Sequence, residues 1–340
     1  MEPVAALQRV AYLLEASSEP TFKVRAFRRA AVVIGELDPE RVRALAAAGR
    51  LEDLTGIGKT TAQVITEAAA GATPAYLAHL EGERPPPPTG AIGRLFAALV
   101  GDCHSHSDWS DGGSPIEDMA AAARDRGLDY LVLTDHSPRL TVAHGLSPER
   151  LIEQLEIVGA LNDALAPFRL LSGIEVDILE DGSLDQDLDL LGTLDLVVAS
   201  VHSKLRMESR PMTARMLAAI ESPHTDVLGH CTGRLIVGRG RPPSAFDADA
   251  VFAACARTTT AVEINSRPDR RDPPPELLAK AIEAGCLFAI DSDAHAPGQL
   301  EWPVNGCEQA VAAGVPAERV VNTWPADRLL AWTAGHAAGG

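Results

Sequence analysis

The sequence predicts an α/β chain in which a small all-α module precedes a distorted seven-stranded barrel of alternating strands and helices. Seven short apolar runs recur from residue 99 onward: "LVGDCHSH", "DYLVLTDH", "RLLSGIEVDI", "DLVVASVH", "DVLGH", "TTAVEIN" and "CLFAIDSDAH". Amphipathic segments separate most of them, and strands joined by helical crossovers pair in parallel and close economically into a barrel. Histidines and acids fall at or near the ends of these runs: His104, His106, Asp111, His136, Glu175, His202, His230, Asp293 and His295. The carboxyl ends of barrel strands form the active face, so these side chains are expected to converge.

From Met1 to about Leu80 the apolar period is helical. Val4, Leu7, Val10, Tyr12 and Leu13 share one face, and Ala26, Ala30, Val33 and Ile34 another. Pro85 to Pro88 then form a stiff extended spacer. The expected organisation is a helical domain over 1–84, a Pro-rich linker over 85–98 and the barrel over 99–340. Barrel helices are expected over 115–126, 147–165, 211–221, 248–256 and 275–284, from periodicity and from proline near several starts.

A length of 340 residues with 46% hydrophobic composition suits two domains. The net charge is −17, yet residues 1–84 hold 10 basic and 11 acidic side chains, so the acid excess belongs to the barrel. Bound cations would neutralise part of it. The five cysteines form no CxxC pair, which points to a reducing compartment rather than a disulfide framework. Cys103 and Cys231 adjoin His104 and His230, but neighbours on a strand face opposite ways, so both are expected in the core. Arg9 interrupts the one apolar run near the start, and no run approaches the roughly 18 residues of a membrane span, so a cytoplasmic protein is expected.

His104 and His106 have the i, i+2 spacing that sets two imidazoles on one side of a strand. Gly112 and Gly113 let the chain turn back after Asp111, while His136, His202, His230 and the Asp293–His295 pair each close a strand. Glu175 lies inside a strand, where its two oxygens can bridge two ions. Mixed histidine and carboxylate shells with open positions are the donor sets of catalytic metal sites. A lone strand-end histidine is more often a surface or capping residue, but five repetitions in chain order exceed what chance supplies. Asp135, Asp102 and Asp226 are acids placed either to orient a ligating imidazole or merely to cap strands.

The motifs "DCHSHSDWSDG", "TDHS", "GIEVDI", "SVHS", "GHCTGR", "EIN" and "SDAH", all in order between about Leu99 and Trp324, resemble those of the polymerase and histidinol phosphatase (PHP) domain. The resemblance implies a distorted seven-stranded barrel holding up to three metals. By it, His104, His106, Glu175 and Asp293 would hold one ion, Glu175, His202 and His230 a second, and Asp111, His136 and His295 a third. Asp111 stands where many members have histidine. Two to three divalent ions are expected, and imidazole with carboxylate suits Zn, Mn or Fe.

In "LEDLTGIGKTTAQVI", Gly56 and Gly58 flank a turn between two helical segments, with Lys59 and Thr60 opening the second. This resembles a helix-hairpin-helix, whose glycines let backbone N–H groups approach a phosphate. Lys23, Arg25, Arg28 and Arg29 add a basic helix able to track a phosphate backbone. Together the two segments resemble the DNA-end-binding domain of bacterial family X DNA polymerases, which also carry a PHP domain. No polymerase fingers, palm or thumb separates the two parts. Asp185, Asp187 and Asp189 imitate the acids of nucleotidyl transfer but read as an acidic loop and helix start.

The expected activity is therefore phosphoester hydrolysis at DNA 3′ ends, as a 3′-to-5′ exonuclease, a 3′-phosphatase or both, through in-line attack of metal-activated water. Lys204, Arg206, Arg234, Arg267 and Arg270 follow ligand-bearing strands and are candidates to clamp phosphate. Asp135, Lys204, Arg234 and Arg267 complete the expected catalytic set. The rival readings are a phosphomonoesterase for a small metabolite such as histidinol phosphate, favoured by the acidic barrel, and a noncatalytic DNA-end adaptor.

Overall fold

The computed structural model describes residues 1–338 of the chain. They form two compact units, one over Met1–Pro87 and one over the remainder, apart from Pro297–Gln299, which group with the first.

The first unit holds five helices: α1 (Pro3–Ala16), α2 (Thr21–Gly35), α3 (Pro39–Ala47), α4 (Lys59–Ala69) and α5 (Ala75–Gly82). Leu7, Val10 and Leu14 of α1 pack with Phe27 and Ile34 of α2 and with Val64 and Ile65 of α4. Each helix contributes the apolar stripe its sequence period prescribes. Asp38 caps α3 by accepting from the Glu40 amide, and Thr61 reaches back to the Gly58 amide at the start of α4.

The second unit opens with α6 (Gly90–Ala98). Its strands are β1 (Gly101–Ser105), β2 (Tyr130–Leu133), β3 (Arg169–Asp177), β4 (Leu196–Ser200), β5 (Val227–Leu228), β6 (Ala261–Asn265) and β7 (Phe288–Asp291). They lie in sequence order, every neighbouring pair parallel. Between and after them run α7 (Ile116–Asp125), α8 (Pro148–Leu165), α9 (Leu188–Leu191), α10 (Ser209–Ile220), α11 (Ala248–Thr258), α12 (Pro275–Ala284), α13 (Pro303–Ala313) and α14 (Ala326–Ala338). All seven strands feed one buried cluster, Cys103, Val132, Leu171, Val198, Val227, Ala261 and Ala289, together with Trp324 and Leu329. A shared interior of this kind is what a nearly closed barrel provides.

The seam between β1 and β7 is closed mainly by side chains. Asp291 accepts from the Cys103 amide at 2.9 Å and Asp102 accepts from the Ser292 amide at 3.2 Å. Asn322 donates to Asp291 at 2.8 Å and accepts from the Ile290 amide. Burial pushes the Asp102 carboxyl up to about 6, and burial beside Asp102 pushes Asp291 well above the carboxylate range. Asp102 therefore closes the barrel rather than orienting an imidazole. Asp226, the other acid at a strand start, likewise sits away from the ligands. It accepts from the Val197 amide and lies 2.7 Å from His336 Nδ1.

One expectation changes here. Residues 90–98 of the expected linker are the helix α6, because Leu95 finds a buried apolar contact once the chain folds. Of that linker, residues 85–89 alone lie outside any helix, and the last two residues of the expected 99–340 span lie outside the described residues. Cys103 and Cys231 are buried and free, as core residues.

Candidate metal centre

Most ligand candidates lie at or just beyond the end of a strand. His104 lies within β1, and His106 follows it with its amide donating to Ala294 O at 2.8 Å, which fixes the chain beside β7. His136, just beyond β2, bridges to Glu175 within β3, and His202 and His230 follow β4 and β5. The rings form a continuous series. Centroids of His295 and His106 are 4.2 Å apart, His106 and His136 4.4 Å, His136 and His202 5.2 Å, and His202 and His230 5.2 Å.

Glu175 divides this series. Its Oε1 lies 2.8 Å from His230 Nε2 and 3.2 Å from His202 Nε2. Its Oε2 lies 2.9 Å from His136 Nδ1, 3.3 Å from His104 Nε2 and 3.6 Å from His106 Nε2. Three groups of donor atoms each fall within 4.8 Å: His106, Asp111, His136 and His295; His104, His106 and Glu175; and His136, Glu175 and His202. The grouping that the resemblance implies places His106 in one set only and assigns His230 rather than His136 to the set of His202. In the folded chain His106 and His136 stand between sets. Asp293 Oδ1 is 3.5 Å from His106 Nε2.

The residues fit a group of cations. His104 Nε2, both ring nitrogens of His106 and of His202, and His230 Nδ1 are buried without a hydrogen-bond partner. Buried polar atoms are seldom left so, and nitrogen donors mixed with carboxylates are the ligand chemistry of Zn, Mn and Fe. The electrostatics agree. Burial alone would raise Glu175 and Asp293, yet the surrounding imidazoles hold Glu175 well below the usual range, and Arg267 with His104 does the same for Asp293. Burial opposes charge on His202, but Glu175 and Asp177 bring it up to about 9. His106, buried among His295 and His136, is held well below its ordinary value. Asp111 is the open member, 36% exposed, with Oδ1 3.3 Å from His295 Nε2 and 3.5 Å from His136 Nε2.

Three residues that sequence reasoning missed hold this array in place. Glu263, fully buried in β6, lies 2.6 Å from His104 Nδ1 and accepts from the His230 amide, so that His104 turns Nε2 toward Glu175. Asn265 donates to Asp293 Oδ2 at 2.9 Å. Asp177, at the end of β3, accepts from the His202 amide and lies 3.5 Å from His202 Nδ1. The signal was present in "AVEIN" and "GIEVDI": an acid inside an apolar strand is buried, and buried acids are rarely left without a partner.

The expected catalytic set separates. Arg267 reaches the centre, with Nη1 3.2 Å from His295 Nδ1 and 3.7 Å from Asp293 Oδ1. Arg270, one turn on, places Nε 3.4 Å from Asp293 Oδ2. Lys204 is exposed, in a left-handed turn with φ 52°. Two members are engaged elsewhere. Arg234 spends its guanidinium on the carbonyls of Arg270 and Arg271, fixing the loop that aims Arg270. Asp135 accepts from the Ser107 amide and from the side chains of Ser107, Ser110 and Gln154. It touches no imidazole, and its saturated carboxylate shapes the turn that carries Asp111. Asp185 accepts from the Ser137 hydroxyl and the Arg139 amide, while Asp187 caps α9.

In the helical unit, Gly56 has φ +100°, and an added Cβ would meet Arg29 Nε at 2.6 Å. Gly58 has nothing within 4 Å of that position, and Lys59 and Thr60 are exposed beside it. Of the expected basic helix, Arg25 and Arg29 are exposed. Lys23 lies 2.6 Å from Glu19 and Arg28 2.7 Å from the buried Glu15, so part of that charge is already neutralised.

Residues 102–267 match the family described as the PHP domain, and residues 1–73 the helix-hairpin-helix domain. The DNA polymerase/3′-5′ exonuclease PolX of Bacillus subtilis (strain 168) is 40% identical over 224 residues, covering 66% of this chain and 39% of that protein. The chain thus spans about two fifths of PolX. A probable phosphatase of Thermoanaerobacter sp. (strain X514) is 30% identical over 240 residues, covering 66% of this chain and 91% of that one. A solved histidinol phosphate phosphatase from Lactococcus lactis, complexed with zinc, L-histidinol and phosphate, has 18% identity and a TM-score of 0.46 over 64% of this chain and 94% of its own. A barrel with this ligand set defines a metal-dependent phosphoesterase. The chain belongs to the PHP family, joined here to a helix-hairpin-helix domain. No helix among the described residues is long and apolar enough to cross a membrane.

Proposed function

We propose that this chain hydrolyses phosphoesters at DNA 3′ ends. The carrying observation is the joining of a helix-hairpin-helix domain to a full set of PHP ligand candidates in one polypeptide. Gly58 supports it. Nothing in the unit lies within 4 Å of a Cβ there, which leaves the start of α4 open to an approaching phosphate. The similarity to PolX adds a relative named as both polymerase and 3′-5′ exonuclease.

The ions, when bound, supply Lewis acidity and lower the pKa of a bound water. This chain's residues do the rest. Glu175 presents one oxygen to His202 and His230 and the other to His104, His106 and His136, so that this single carboxylate would be shared by more than one ion. Glu263 and Asp177 orient His104 and His202. Arg267 and Arg270, beside Asp293, set positive charge where phosphoryl oxygens gather negative charge. Asp111 borders the open side by which a strand end enters.

The test is release of mononucleotides or phosphate from 3′-ended and 3′-phosphorylated oligonucleotides by the full-length protein with Mn or Zn. Absence of both products, with a small phosphomonoester cleaved, would favour the second reading, a metabolite phosphatase. That reading draws on the acidic barrel and the Thermoanaerobacter relative. Retained DNA binding with no turnover on any phosphoester would leave the adaptor.

A further inference from the structure

A cavity of 260 Å³ opens between the loop after His202 and the loop after His230. Its lining includes Leu205, Arg206, Met207, Glu208, Arg241 and Pro242. Its walls are built. Ser244 joins the two loops by donating to Leu205 O at 2.9 Å, and Gly233 lies so close to Leu205 that a Cβ would meet Cδ2 at 2.7 Å. The second loop folds back on itself through paired backbone bonds between Leu235 and Arg241, and Arg241 Nε donates to Gly233 O at 2.6 Å. The Ile236 amide donates to Asp269 O, tying the same loop to the segment that carries Arg267 and Arg270.

Charge runs from the centre to this cavity. Asp293 faces Arg270, and Arg270 is near enough to Arg241 that burial, and then its repulsion, lowers the Arg241 guanidinium from its ordinary value. Buried Arg270 Nε and Nη1 have no hydrogen-bond partner. At the mouth stand two arginines, Arg206 and Arg241, against one acid, Glu208, in a chain whose net charge is −17. A cluster of cations next to an apolar wall of Leu205, Met207 and Pro242 matches a ligand with a phosphate on one side and a flat ring on the other. The volume lies just below the usual range of ligand pockets, which begins at roughly 300 Å³, so it admits a single ring system and excludes a base pair.

We propose that this cavity is a nucleotide subsite: it takes the unstacked base flanking the scissile phosphate of a single-stranded DNA end against Met207 and Pro242, with the adjoining phosphate on Arg206 and Arg241. The inference rests on the reading of DNA ends as substrate. It assigns the substrate's form, single-stranded over at least the nucleotide next to the cleaved bond.

The experiment compares kcat/KM of the full-length protein on an oligothymidylate of about eight nucleotides with that on bis(p-nitrophenyl) phosphate, a diester with no nucleoside, and on p-nitrophenyl phosphate. Two variants are used, Arg206→Ala, which removes an exposed charge, and Ala245→Trp, which fills the cavity from an exposed lining position. In each, the ratio of oligonucleotide to bis(p-nitrophenyl) phosphate is expected to fall about tenfold, within the worth of one stacked base. Arg206→Ala should also flatten the salt dependence of oligonucleotide KM by about 0.7 in logarithmic slope. A wild-type preference for the oligonucleotide that both variants keep would overturn the subsite and leave the substrate class standing. A wild type that cleaves p-nitrophenyl phosphate but neither diester nor a 3′-phosphorylated oligothymidylate would remove the substrate class, and the subsite with it.

Discussion

Glu263→Gln separates a ligand's identity from its orientation. The Glu263 carboxylate faces three donors: His104 Nδ1 at 2.6 Å, the His230 amide, and Asn265 Nδ2 at 3.2 Å. Glutamine keeps the shape but offers one oxygen and one NH2 group. If its oxygen stays on His104, the NH2 group meets the N–H of His230 and the amide of Asn265, donor against donor. If it turns over, His104 loses the acceptor that fixes its tautomer. Either way one buried contact is lost, at about 1–3 kcal/mol of stability, and loss of a carboxylate behind a ligating imidazole typically costs 10- to 100-fold in metal affinity or activity. At 1.36 kcal/mol per decade that is about 1.4–2.7 kcal/mol. Metal affinity by competition with a chromogenic chelator, turnover of bis(p-nitrophenyl) phosphate and thermal unfolding would be measured on the same preparation. The expected outcome is a folded protein with metal affinity and kcat/KM both reduced at least tenfold. Wild-type metal affinity and turnover in a folded variant would refute the assignment of Glu263 as the positioning acid.

Other perturbations probe separate links. Asp111→Ala should lower metal content by one equivalent in elemental analysis while the ions held around Glu175 remain; loss of every ion would show that the groups are not separable. Removal of metal by chelator should lower the unfolding temperature, since each ion held at 100 times its Kd contributes about 2.7 kcal/mol; an unchanged calorimetric trace would contradict metal binding at the buried ring nitrogens. Arg234→Ala should release the Arg270 and Arg271 carbonyls and lower both stability, by about 1–3 kcal/mol, and kcat/KM, whereas Lys204→Ala at an exposed turn should change stability by less than about 0.5 kcal/mol. Gly56→Ala, at φ +100° and against Arg29, should cost the helical unit about 1–2 kcal/mol and weaken oligonucleotide binding by fluorescence anisotropy without altering hydrolysis of bis(p-nitrophenyl) phosphate.

The periodicities that define elements were legible because they are local. Every barrel strand coincides with an apolar run, and α12 spans Pro275–Ala284, the range its proline start and amphipathic period predict. Histidines at strand ends were legible for the same reason, since parallel strands place their carboxyl ends on one face. Side-chain partners were less accessible. Asp102, Asp135 and Asp226 have the same sequence appearance, an acid next to an apolar run, yet one seals the β1–β7 seam, one pins the Asp111 turn, and one lies against His336. Glu263 has that appearance too and supports His104.

The sequence by itself determined the α/β class, the seven parallel strands and the residue types of the metal centre, because these follow from apolar period and from the chemistry of imidazole and carboxylate. Only the tertiary structure decided which acid meets which imidazole, that His106 and His136 stand between ligand groups, and that Arg234 holds a loop while Arg267 faces the centre. The physical reason is separation along the chain. His104 and Glu263 are 159 residues apart and meet at 2.6 Å because β1 and β6 belong to one barrel, a relation set by closure of the whole sheet and carried by no local pattern.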